Sequence, residues 1–462
     1  MRINTNMSAL TACYRLNSAN SKLSASIEKL SSGYKINSAE DDPVGAAIAQ
    51  KLKTQLKGLD RAIQNASDGI SVVETAEGAL GEVMDMAQRM RELAVQGANG
   101  TMSALDRQSI MDEIEQLQKE IDRISSDTEF NTRGLINGEL SRRSYTNVVG
   151  TRVTYMSDAV LADSYNIRVN AEATYTTLTT KPTNLDPLGI DVDGSITVNG
   201  ETVAIEKGET PDEVLDKIKS VADLSDISVN YDGNTIEFKS DLLGSNYPIT
   251  INCTEALANR LGISMQESAV GKDADIEFAK TGNFKFPDST TMTVDGNTAT
   301  LSASGGFEMR FEIDEGAVGA AGKDVVVTTL DIGTMVIQMG ANEGQVMDIN
   351  IPEVSCKAMG LDKLNLHTEA GCDRAISILD DAITYISTVR SKLGAYANRM
   401  EAAVTSLDVT NENMTAALSR IEDVDMAKEM TNYTSLNVIT QAANSMLSQA
   451  NQMPEKVLQL LQ

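Results

Sequence analysis

The chain has no tryptophan, a single histidine (His367), eight prolines and four cysteines in 462 residues, and only 4% of it is aromatic. One imidazole cannot build a histidine-rich metal centre or supply a second catalytic imidazole. The cysteines Cys13, Cys253, Cys356 and Cys372 lie far apart with no C-x-x-C pair, so they read as free thiols rather than a disulfide frame or a zinc site. Positive charge is also scarce. Lys and Arg number 39 against 66 Asp and Glu, a net charge of −27, which argues against broad contact with nucleic acid. No apolar run approaches the ~18 residues of a membrane span. The opening MRINTNMSAL lacks the apolar stretch of a secretory signal. What is present is 41% hydrophobic residues, enough to bury a core.

The ends and the middle are different materials. Residues 187–350 hold 28 acidic and 10 basic side chains, a net −18, and are rich in Thr, Val, Gly and Asp with period-two alternation. Both ends carry helical periodicity. Leu379, Ile386, Leu393, Met400, Leu407, Met414 and Ile421 recur every seven residues, with Ile376, Ile383, Ala397, Val404 and Leu418 as a partner register broken by Arg390 and Asn411. Upstream, Leu52, Leu59, Ala66, Val73, Leu80, Ala87 and Ala94 recur in the same way. Leu56, Ile63, Ile70 and Met84 form that partner register, broken by Glu77 and Arg91. Such sustained seams predict coiled-coil rods, each roughly 70 Å long at ~1.5 Å per residue. The glycines Gly58, Gly69, Gly78 and Gly81 weaken the first rod and predict close helix–helix approach. After the turn at Gly97–Gly100, Ile110, Ile114, Leu117, Ile121 and Ile124 predict a third helix folding back on the first.

At the extreme ends, Ile3, Met7, Leu10 and Tyr14 form one stripe and Leu23, Ile27, Leu30 and Tyr34 another. Ile439, Met446, Met453 and Leu460 are seven apart, with Val457 alongside, and Pro454 predicts a kink or restart. These stripes exceed what a thin helix pair buries, which points to self-assembly. The acidic run Asp41-Asp42-Pro43 reads as a helix start rather than a cation site.

In the middle, Asn199-Gly200 separates two short alternating runs, and Thr210-Pro211-Asp212-Glu213 is a capping box opening an amphipathic helix. Asp232-Gly233 then joins two more runs, giving a ββαββ unit. Tyr165, Ile167 and Val169 alternate within 145–177 and predict a hairpin beside the bundle. Gly322-Lys323 lacks the Ser or Thr and the earlier Gly of a phosphate loop, and Gly316, Gly319 and Gly322 read as loosening a loop. No catalytic constellation, metal site or cofactor motif stands out, so no enzyme activity is expected.

The run SASIEKLSSGYKINSAEDDPVGAAIA from Ser24 to Ala49 resembles bacterial flagellin. So do NASDGISVVETAEGAL (Asn65–Leu80), QRMRELAVQ (Gln88–Gln96), Phe130-Asn131, Ser419–Asp423 and QANQMPEKVLQLL (Gln449–Leu461). The resemblance implies an α+β fold, an elongated N/C-terminal helical coiled-coil bundle with an inserted β-rich outer region. On this reading 1–44 and 421–462 form a terminal helical assembly domain lining an inner tube. Residues 45–177 and 355–420 form the helical bundle with its β-hairpin, the outer tube. Residues 178–188 and 272–354 form a β-rich outer domain, and 189–271 the ββαββ insertion. The implied function is a non-covalently assembled filament subunit for motility, secreted and extracellular, with a hook–filament junction protein as the alternative. Its polymerisation interface is expected at Ile3, Met7, Leu10, Leu23, Ile27, Leu30, Ile439, Met446, Met453, Val457 and Leu460. The implied partners are further copies of the chain, a flagellar export chaperone, and filament cap and junction proteins. Toll-like receptor 5 is the other implied partner, through the segment matching Gln88, Arg89, Leu93, Gln96 and Glu113. No nucleic acid and no membrane insertion are expected.

Overall fold

The computed structural model describes residues 6–157, 159–181, 190–278, 286–319, 322–330 and 332–459, with 454–459 described by backbone alone. The fold is α+β, with long helices at both ends and a β-rich middle. The helices are α1 (Met7–Ser32), α2 (Pro43–Gly97), α3 (Ala104–Asp127), α4 (Pro211–Asp223), α5 (Glu255–Leu261), α6 (Cys356–Met359), α7 (Glu369–Glu422) and α8 (Met426–Gln459). The chain divides into two compact units. One comprises Met1–Asp68, Gln338–Val346 and Met400–Gln462, and the other Gly69–Ile337 and Met347–Arg399. Helices α2 and α7 contribute residues to both.

In the first unit α1 and α8 pair antiparallel: Asn6 meets Ala450, Ser26 meets Glu429, and Tyr34 bridges Asp423. Helix α1 stops at Gly33, whose φ of 78° is a left-handed cap that glycine adopts without strain. The two interhelical turns then join: Lys35 N donates to Glu422 O, Val424 N donates to Gly33 O, and Lys53 pairs with the Glu422 carboxylate. Asp42 caps α2, its Oδ1 accepting from Val44 N (3.2 Å) and Gly45 N (3.0 Å), so the acidic run is indeed a helix start. Gly45 leaves room for both neighbours there: a Cβ would sit 2.6 Å from Ile36 Cδ1 and 2.6 Å from Asp42 Oδ2. Pro454, expected to kink or restart its helix, lies inside continuous α8. Proline leaves the carbonyl of residue 450 without its helical donor, and Asn6 Nδ2 donates to that carbonyl at 2.8 Å.

Both long seams are real, but their second register differs from the predicted one. Beside Leu379, Ile386, Leu393 and Met400, the buried positions are Ala375, Ala382, Val389 and Tyr396, whereas Ile376, Ile383 and Ala397 are half-buried. On α2 the partners of Leu59, Ala66, Val73, Leu80, Ala87 and Ala94 are Ala62, Gly69, Ala76, Val83, Met90 and Gly97. Leu56, Ile63 and Ile70 are half-buried, and Met84 is buried beside Val83. The register that wins is rich in small residues, with Ala62, Gly69 and Ala76 on α2 and Ala375 and Ala382 on α7. The interruptions then make sense. Glu77 pairs with Arg390 (3.4 Å) and Arg91 with Asp380 (2.5 Å), flanking the seam of an antiparallel α2–α7 pair. Of the weakening glycines, Gly58 faces a loop and not the helix expected: a Cβ there would meet Ala341 Cβ at 2.9 Å. Gly78 and Gly81 face open space, a correction to the expectation. Helix α3 opens with a capping box, Ser103 with Asp106, and buries Ile110, Ile114 and Ile121.

The β-rich part of the second unit holds two cores. In the first, the Asn199-Gly200 hairpin and the Asp232-Gly233 hairpin flank α4 in the predicted order, but they do not share a sheet. Strands Gly194–Val198 and Glu201–Ile205 pair onward to Ile249–Cys253 and Gln266–Ala269, while Ile227–Tyr231 and Ile236–Leu243 pair with Tyr175–Thr179. A lone hairpin is marginal in water, so each recruits further strands. Val214, Leu215, Ile218 and Ala222 of α4 pack between them with Ile196, Val198, Ile236 and Phe238. The second core is a pair of four-stranded antiparallel sheets. Among the described residues, the strands of 145–177 do not pair with one another as the predicted hairpin would. Ser144–Thr146 and Ser164–Ala171 enter one sheet with Asp275–Phe278 and Lys323–Thr329. Thr151–Met156 enters the other, beside Phe307–Ile313. Tyr165, Ile167 and Val169 are buried between the sheets, which a two-stranded ribbon could not achieve. Gly316 and Gly319, expected to loosen a loop, instead donate their amides to the Glu172 carboxylate, as does Val318.

Candidate assembly surface

The α1–α8 pair meets along a narrow seam of small and medium residues. Ala19 and Ser26 are buried on α1, and only Ala450 is buried among the described side chains of α8. Leu16, Leu23 and Leu30 of α1 and Leu436, Ala443 and Leu447 of α8 are half-buried. Ser26 Oγ donates to Glu429 Oε1 at 2.5 Å. That bond, helped by Asn432 and the nearby Lys29 and Lys428, holds the Glu429 carboxyl below its ordinary range.

Outside that seam the pair exposes large apolar side chains among its polar ones. Met7 is 64% exposed and Met446 is 65% exposed, and Leu10, Ile27, Ile439 and Met453 are exposed with them. Six of the predicted interface residues therefore face outward, while Leu23 and Leu30 lie toward the α1–α8 seam. Ile3 and Leu460 lie outside the described residues, as does the side chain of Val457. Sequence spacing missed Met426, Met430 and Val438, which are also exposed. Val438 adjoins Ile439, so a strict seven-residue count passes over it.

A second predicted surface group lies on α2 and α3. Gln88, Arg89, Gln96 and Glu113 are exposed. Arg89 reaches across to α3, its Nε and Nη2 donating to Glu113 Oε1 at 3.1 and 2.9 Å, and a further pair with Glu92 spans 3.4 Å. Leu93 differs from the other four: it is 2% exposed and belongs to the bundle core.

Residues 3–141 match the bacterial flagellin N-terminal helical region, and residues 376–461 match the bacterial flagellin C-terminal helical region. The whole chain is 31% identical to Flagellin B of Vibrio anguillarum, covering 99% of that protein. The chain belongs to the bacterial flagellin family. It is also 32% identical, over 98% of its length, to 99% of the flagellin of Clostridium tyrobutyricum. Among solved structures, hook-associated protein 3 of Legionella pneumophila aligns with 80% of this chain and 98% of its own at 12% identity and a TM-score of 0.31. As a flagellin, this protein is a structural subunit that self-assembles non-covalently into the flagellar filament for motility, and it is not an enzyme. The junction-protein alternative gives way to these full-length flagellin relatives.

Proposed function

We propose that filament assembly buries the outer faces of α1 and α8 against neighbouring copies. The observation that carries this is the exposed stripe of Met7, Leu10 and Ile27 on α1 and Ile439, Met446 and Met453 on α8. Apolar surface of this extent on a slender helix pair is a docking surface. Leu23 and Leu30 shape it from beneath, and Ile3, Val457 and Leu460 extend it at the ends. Contacts of this kind, repeated without closing, generate an open helical polymer. Residues 1–44 and 421–462 then line the inner tube, and 45–177 with 355–420 form the outer one. Residues 178–188, 272–354 and 189–271 project outward. The filament is extracellular. The subunit leaves the cell through the flagellar export apparatus, guarded by a chaperone on its C-terminal helices, and meets cap and junction proteins at the filament's ends.

Deleting residues 1–35 or 430–462 is expected to abolish polymerisation, read by sedimentation and electron microscopy, while residues 45–410 still melt cooperatively. Filaments formed by either truncation would overturn the reading.

Free subunits, on the same family resemblance, bind Toll-like receptor 5 through Gln88, Arg89, Gln96 and Glu113, with Leu93 fixing the helix beneath them. The exposed Arg89–Glu113 pair spanning α2 and α3 supports a shared surface. Arg89→Ala is expected to weaken receptor affinity by about fivefold or more, the effect of losing above ~1 kcal/mol at an arginine anchor. Unchanged affinity in a direct binding assay would refute this assignment.

A further inference from the structure

The insertion of residues 175–271 leaves the two-sheet sandwich at Thr174 and returns at Lys272. Two connections alone would let such a body swing, yet four chain segments cross at this neck. Thr174 N donates to Lys272 O (2.8 Å), and Lys272 N donates to Thr174 Oγ1 (3.1 Å). One residue further in, Gly271 N donates to Thr176 Oγ1 (2.8 Å), and that hydroxyl donates to Tyr247 O (2.6 Å). The third segment, 243–247, comes from within the insertion and folds back. The fourth, 295–297, is a turn of the sandwich. Asp273 ties these two together. Its Oδ1 accepts from Ser245 N (2.8 Å) and Gly296 N (3.1 Å), and its Oδ2 accepts from Ser245 Oγ (2.5 Å). Beside it, Asn246 Nδ2 donates to Asp295 Oδ1 at 2.7 Å.

The crossing is backbone against backbone. A Cβ on Gly244 would stand 2.8 Å from both Asp273 Oδ1 and Gly296 Cα, and one on Gly271 would stand 2.5 Å from Gly244 O. A Cβ on Gly296 would meet Leu243 O at 2.8 Å. Gly244 (φ 113°) and Gly296 (φ 56°) also hold conformations that L side chains rarely adopt.

We propose that this neck is a rigid clasp, closed by Asp273, that holds the insertion at one fixed orientation on the sandwich. A hinge needs residues free to absorb changes in φ and ψ. Here those residues are cross-bonded and close-packed, and the central carboxylate makes charge-assisted bonds to both bodies. The insertion carries 16 acidic and 6 basic residues, so the clasp fixes the position of a net −10 charge on each subunit.

The test uses full-length, unpolymerised protein carrying Cys13→Ser, with spin labels at Lys219→Cys on α4 and Ser302→Cys on the sandwich. Pulsed dipolar spectroscopy is expected to give one narrow distance distribution. Adding Asp273→Ala should broaden it at least twofold without changing the melting of the helical ends. If that variant does not fold, Ser245→Ala, which removes the hydroxyl donor alone, should give an intermediate width. A broad or multiple distribution in the parent would overturn the proposal. So would an equally narrow one in whichever variant folds.

Discussion

Cys253 and Cys372 are buried, and loss of hydration pushes both thiols up to about 11, while Cys356 is pushed higher still with Asp122 beside it. Cys13 is exposed on α1. A thiolate reagent at neutral pH is therefore expected to label one site quickly in the folded subunit and all four in denaturant, counted by mass spectrometry. Rapid labelling of two or more folded sites would contradict the packing. The free-thiol reading was legible from spacing alone. Which thiol is exposed was not, because exposure is a property of neighbours brought together from elsewhere in the chain. The same holds for Glu77, Arg91 and Arg390. In sequence they interrupt a register, and in the structure they flank a seam displaced by one residue and meet opposite charges across it. Helical spacing of three and four are both compatible with a seven-residue repeat, so periodicity could not choose between Met90 and Arg91 for the buried place.

At the scale of elements, local chemistry was decisive where the partner lies within one turn. The boxes Ser103–Asp106 and Thr210–Glu213 form, and Asn199 and Gly200 take the positive φ angles (46° and 98°) that a two-residue hairpin turn requires. Pro454 shows the limit of that logic. Its effect on α8 is offset by Asn6, which lies 444 positions along the chain from the Ala450 carbonyl it bonds and also caps α1. Asn6→Ala is expected to cost about 1–2 kcal/mol from the lost cap, together with the carbonyl left unpaired at Ala450. Hydrogen exchange should report it as faster opening of both helix ends. An effect confined to α1 would show that Ala450 does not depend on Asn6. The hairpin expected at 145–177 failed for a related reason: alternation reveals a buried face but not how many strands cover it.

For the whole molecule, charge and apolar surface are separated along the sequence. Residues 187–350 hold −18 of the net −27, leaving −9 for the rest of the chain, the helical ends included. In the proposed filament the like-charged middle segments of neighbouring copies would repel, and such repulsion is screened over ~10 Å at 0.1 M salt and ~3 Å at 1 M. Raising salt is therefore expected to lower the critical concentration for polymerisation, measured by sedimentation. A critical concentration that rises with salt would instead place ion pairs at the assembling surface. By itself the sequence determined the helical ends, the β-rich acidic middle, the lack of a catalytic constellation and the family, because each follows from local composition, short-range periodicity or a contiguous motif. Only the tertiary structure decided which register of each seam is buried, that the middle strands belong to several sheets, that Leu93 faces the core, and that Asp273 bonds both Ser245 and Gly296 at the neck. Those depend on contacts between residues distant in the chain, where close packing selects one arrangement among several that the same periodicity allows.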